Sequence, residues 1–82
     1  MTPAEAVVEM AGIVVQAKRD ILTEDEVRSR AEQTRTWDDA KRFLWALRCR
    51  VASQVRLGSD KRMKLEDALE ACRLRLRKEM KR

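Results

Sequence analysis

Six cationic side chains crowd the last ten residues of the chain: Arg73, Arg75, Arg77, Lys78, Lys81 and Arg82. Lys61, Arg62 and Lys64 lie in the opening turns of the same predicted helix. On the helix before it, Arg42, Ala46, Cys49, Ser53 and Arg56 fall on one face, a track of small side chains bracketed by guanidinium groups that a phosphate backbone can approach closely. Arginine outnumbers lysine thirteen to six. Its planar fork of donors matches two phosphate oxygens, a base edge or a carboxylate. The chemistry these residues offer is recognition of anions. Leu74, held among Arg73, Arg75, Arg77 and Lys78, adds an apolar anchor.

Resolving the charge along the chain gives it an address. Residues 1–40 carry five basic and nine acidic side chains, net −4, whereas residues 41–82 carry fourteen basic and five acidic, net +9. The total of +5 therefore conceals a polarised molecule. A solvated surface accounts for part of this, since cations complement a helix C-terminus and Asp67, Glu70 and Glu79 can pair with neighbours. Net +9 over the second half is more than that account needs.

Other chemistry is hard to write with these residues. The sequence has no histidine, hence no imidazole base, shuttle or ligand. Gly12 and Gly58 are too far apart to build a phosphate-cradling loop, and Cys49 and Cys72 cannot complete a four-ligand metal site. The carboxylate pairs Asp38–Asp39 and Glu66–Asp67 are sequence neighbours, which point about 100° apart on a helix. At 82 residues the chain is one small domain without room for an enclosed substrate cleft. The expectation is a protein that is not an enzyme, with no catalytic residue, metal, cofactor or small-molecule substrate. The start, Met1-Thr2-Pro3-Ala4-Glu5, lacks the basic opening of a signal peptide, and the uncharged run from Met10 to Ala17 is too short for a membrane span, so a soluble cytoplasmic protein is expected. In such a compartment the two cysteines are read as plain small apolar residues.

Hydrophobic spacing is helical throughout, and the fold class it predicts is all-α: three principal helices plus one short helix, ending in a long antiparallel hairpin. Thr2, Pro3 and Glu5 form a capping box that opens a helix over residues 3–20, with Val7, Met10, Ala11, Val14, Val15, Ala17 and Ile21 on its stripe. Thr23 and Glu26 make a second box before a short exposed helix, 24–35, whose core contacts are Val27 and Ala31. Thr36 caps a third helix, 37–57, with Asp38 and Asp39 in its first turn and Gly58 as a left-handed terminator. Its seam is Trp37, Ala40, Leu44, Leu47, Val51 and Val55, with Phe43 and Trp45 widening the apolar face. Ser59 and Asp60 cap the last helix, 60–80, whose seam is Leu65, Leu69, Cys72 and Leu76.

Three partner classes follow. The first is nucleic acid, held through its phosphates by the basic hairpin with Arg42, Arg56, Lys61, Arg62, Arg73, Arg77, Lys78 and Lys81 as contacts. A helix-turn-helix is disfavoured, because Asp38 and Asp39 would enter the major groove first. An aromatic platform for single strands is not expected either, since both tryptophans and Phe43 read as core, and Lys41 and Arg48 read as aliphatic stems beside Trp45 with a cation–π contact. The second class is an acidic groove on a larger protein, taken by the same arginines with Leu74 as anchor, in the manner of a small inhibitor or adaptor. The third is a second copy of the chain, with Met63 and Leu74 projecting away from the seam into a dimer or larger homo-oligomer. In size and composition the chain is similar to small basic helical proteins encoded by phages and mobile elements. A membrane surface is not expected as a partner, because the last helix has no aromatic residue for an interface.

Overall fold

The computed structural model describes residues 1–18, 20–53 and 58–81. Among them the chain is all-α, with four helices: α1 (Pro3–Ala17), α2 (Glu24–Gln33), α3 (Trp37–Ala52) and α4 (Ser59–Met80).

At the start of α1, Thr2 Oγ1 accepts from the Glu5 N–H and Glu5 Oε1 accepts from the Thr2 N–H, both at 3.2 Å. The Thr2 side chain first, and then the Thr2 backbone N–H, hold the Glu5 carboxyl below its ordinary range. The helix ends at Ala17 rather than near Asp20, because Lys18 turns extended and sends Ile21 and Leu22 back under the core, where they are 5% and 6% exposed. Ala17, expected on the stripe, is exposed.

Only half of the second capping box forms. Thr23 Oγ1 accepts from the Glu26 N–H at 3.1 Å, but of the Glu26 carboxylate Oε1 accepts from the Thr23 hydroxyl at 3.5 Å rather than from its backbone N–H, and Oε2 accepts from Arg50 Nη1 of α3 at 2.7 Å. The helix stops at Gln33, short of Arg35, because the N–H groups of Arg35 and Thr36 both donate to Asp39 Oδ2 at 3.1 Å and so belong to the cap of α3. Val27 and Ala31 pack half-buried against the core.

That cap is a complete box, since the Asp39 N–H also donates to Thr36 Oγ1 at 3.2 Å. Removing it with Thr36→Ala is expected to cost about 1 kcal/mol, read as a lower thermal midpoint at neutral pH. The two backbone donors hold the Asp39 carboxyl below its usual value, the Arg35 N–H contributing most. A depressed carboxyl stabilises the fold above its unfolded value, and that contribution is lost as pH falls through the lowered one. Asp39→Asn should therefore flatten the acid limb of the stability–pH curve.

The core joins Ala6, Val7, Met10, Ala11 and Val14 of α1 to Ala40, Phe43, Leu44, Leu47 and Val51 of α3 and Leu65, Leu69, Cys72 and Leu76 of α4. Helix α1 packs against the other three helices, and α3 against α4. Arg48 of α3 pairs with Glu70 of α4 while Lys41, two turns earlier, shares a groove with Arg77 and Lys81, so α4 runs back along α3. The segment between them, 54–57, lies outside the described residues, and with it Val55, Arg56 and the end expected for the third helix. Gly58 does not terminate α3 in a left-handed conformation: with φ −58° and ψ 149° it is the N-cap of α4, and Ser59 is already helical. No side chain caps that helix, whose first turn closes on Gly58 itself through the Arg62 N–H at 2.9 Å. At the end of α3, Ser53 Oγ donates to the Arg50 carbonyl at 2.8 Å.

Candidate functional site

The face of α4 that carries Arg73 and Arg77 lies about 100° from its buried seam, and α3 presents Lys41, Trp45 and Arg48 beside it. Two adjoining depressions result. Lys41, Arg73, Leu76, Arg77, Met80 and Lys81 line one, and Lys41, Arg42, Leu44, Trp45, Arg48 and Arg73 line the other. Lys41 and Arg73 are common to both, so the two form one continuous groove along the α3–α4 seam.

Glu70 organises its wall. Arg73 donates from Nε and Nη2 to Glu70 Oε1 at 2.9 and 2.6 Å, and Arg48 donates from Nη1 to Glu70 Oε2 at 3.2 Å. The two guanidinium groups, Arg73 foremost, hold the Glu70 carboxyl below its usual range, and Glu70 in turn raises Arg73. One carboxylate thus fixes two arginines side by side and leaves the assembly net positive. Lys41, Arg77 and Lys81 are exposed and have no ion-pair partner among the described residues. Elsewhere the arginines are answered by carboxylates of the acidic half. Arg75 pairs with Glu9 of α1, and Arg50 pairs with Glu26 of α2 while also donating to the Ile21 carbonyl at 2.9 Å.

The residues singled out by spacing do not form one face. Arg42, Arg73, Arg77 and Lys81 line the groove; Leu74 and Lys78 project from the outward back of α4, and Leu74 is 48% exposed. Lys61 and Arg62 sit in the first turn of α4, far along the helix from the groove. The small-residue track on α3 is broken, because half-buried Ala46 faces α2 in a depression shared with Asp25, Glu26 and Arg30. Cys49 is exposed and Cys72 buried, and burial pushes the Cys72 thiol up.

Trp45 departs furthest from expectation. It is not core: 69% of it is exposed, more than of any other large apolar residue described. Phe43 and Leu44 turn the packed arc of α3 toward α1, α2 and α4, and on the flank where Trp45 stands no further helix covers it. The cation–π contact among the described residues is Arg30 over Phe43, at 5.9 Å, rather than a cation over Trp45. A signal for this was present: at helical spacing the neighbours of Trp45 are Lys41, Arg42, Arg48 and Cys49, whereas a core aromatic would have apolar ones.

No described helix is long and apolar enough to cross a membrane. Comparison with protein-family models, with curated proteins and with solved structures finds no match for this chain.

Proposed function

We propose that this chain is a non-enzymatic nucleic-acid-binding regulator whose α3–α4 groove holds phosphates against Lys41, Arg42, Arg77 and Lys81. The observation that carries the reading is where uncompensated charge collects. The carboxylates of the acidic half form ion pairs with Arg50 and Arg75 but with none of the six groove cations, which have Glu70 bonded to Arg48 and Arg73 and the weaker attraction of Asp39 at Arg42. A polyanion is the ligand that such a track attracts most.

Docking on an acidic protein groove through Leu74 has less behind it. Arg73 and Arg75, the residues on either side of Leu74, are already bound to Glu70 and Glu9.

Salt dependence tests the proposal. Four phosphate contacts give a log–log slope of affinity against salt of about −3.6 on duplex DNA and about −2.8 on a single strand. Absence of measurable binding at about 50 mM salt overturns it.

A further inference from the structure

Phosphate contacts leave Trp45 unused. An indole exposed to 69% forgoes much of the apolar burial that makes tryptophan useful to a fold, and it stands on the rim of the cationic groove. The polar side chains lining its depression are Lys41, Arg42, Arg48 and Arg73, all cationic. Of the carboxylates nearby, Glu70 is bonded to Arg48 and Arg73, and Asp39, about one turn before Arg42, attracts it; the four cations outnumber them.

We infer that Trp45 is a base-stacking platform and that the groove takes single-stranded nucleic acid, one base lying on the indole while the flanking phosphates meet Lys41, Arg42 and Arg77. The inference rests on the nucleic-acid reading above and narrows it. In a duplex the faces of the bases are closed inside the stack, and only edges and phosphates can be reached. An open aromatic plane among cations is usable by a base that is already unstacked, and stacking needs no sequence because every base has a π-face. The charge around the indole, four cations with Glu70 shared between Arg48 and Arg73, favours a polyanion over a protein segment, which would have to bring carboxylates of its own.

Because Trp37 is the other tryptophan, Trp37→Phe leaves Trp45 as the sole indole reporter. This variant is titrated at about 50 mM salt with oligo(dT), oligo(U) and a DNA duplex, each about twelve nucleotides or base pairs long, while anisotropy of the labelled nucleic acid reports binding independently. The expected result is saturable quenching of Trp45 by a single strand. Trp45→Ala should weaken that binding roughly 5- to 100-fold, Trp45→Phe should keep most of it, and neither should change duplex affinity. The two single strands show whether DNA, RNA or both are taken. Because Trp45 is exposed, Trp45→Ala should keep the parent far-UV dichroism, which separates lost stacking from lost fold. Single-strand binding that is unchanged in Trp45→Ala, or binding to duplex alone, overturns the stacking platform and leaves the phosphate groove standing. No binding to any of the three overturns both.

Discussion

Leu69→Ala is expected to destabilise the fold by about 3 kcal/mol, while Leu74→Ala, five residues on, should change stability by no more than about 0.5 kcal/mol. Leu69 is 0% exposed at the middle of the α4 seam, and Leu74 is 48% exposed on the opposite side of the same helix. Truncating Leu69 removes its apolar transfer energy and leaves a cavity among residues of α1 and α3 that cannot fully collapse around it. Against a total of about 4–12 kcal/mol for a chain of this length, that loss is large. Thermal denaturation followed by far-UV dichroism should show the midpoint falling by roughly 12–24 °C for Leu69→Ala and by no more than about 2–4 °C for Leu74→Ala. Equal shifts in the two variants would mean that α4 does not present its Leu65–Leu69–Cys72–Leu76 face to the core.

Most local features could be read from the sequence, though not Gly58, which caps α4 instead of ending α3 in a left-handed turn, nor the Ser59–Asp60 cap, which does not form. The caps at Thr2, Thr23 and Thr36 each rest on contacts within a few residues, and all three threonines accept the backbone N–H that their spacing predicts. The α4 seam is equally local, because the period of an apolar stripe is set by the helix itself; all four seam residues are buried. What could not be read depends on contacts distant in sequence. Glu9 meets Arg75 across 66 positions, and Glu26 gives one carboxylate oxygen to Arg50, 24 positions away. Those pairings decide which arginines of the basic half are compensated, and no periodicity encodes them.

The candidate site shows the same division. Charge counting located an excess of cations in residues 41–82 but spread it over both helices and around α4. Packing concentrates it, through Glu70 and the antiparallel course of α4, into a groove that draws Lys41 in and leaves Lys61, Arg62, Leu74 and Lys78 outside. For Trp45, position on the helix outweighs apolar character. Tryptophan reads as core, but this one lies beyond the arc of α3 that its neighbours cover, and among the described residues the four helices leave no further element to bury it.

Reversing charge at three groove positions should have the largest effect on binding. Lys41, Arg77 and Lys81 are exposed, are without ion-pair partners among the described residues and lie outside the core, and Lys81 closes α4 through its backbone N–H rather than its side chain, so Lys41→Glu, Arg77→Glu and Lys81→Glu together should leave the fold intact. Counterion release makes each duplex phosphate contact worth roughly a fifteenfold gain in affinity when salt is lowered from about 1 M to about 50 mM. Losing three such contacts costs on the order of 10³-fold at the lower salt, before any repulsion from the new carboxylates. The duplex salt slope should shrink by about 2.7 at the same time. Reversing three cations of α4 outside the groove, Lys61→Glu, Lys64→Glu and Lys78→Glu, makes the same change in net charge but removes no groove contact. It should cost only the small, salt-screened effect of long-range attraction. The comparison isolates position from charge: if both variants lose affinity equally, binding follows net charge alone and the α3–α4 groove has no special part in it.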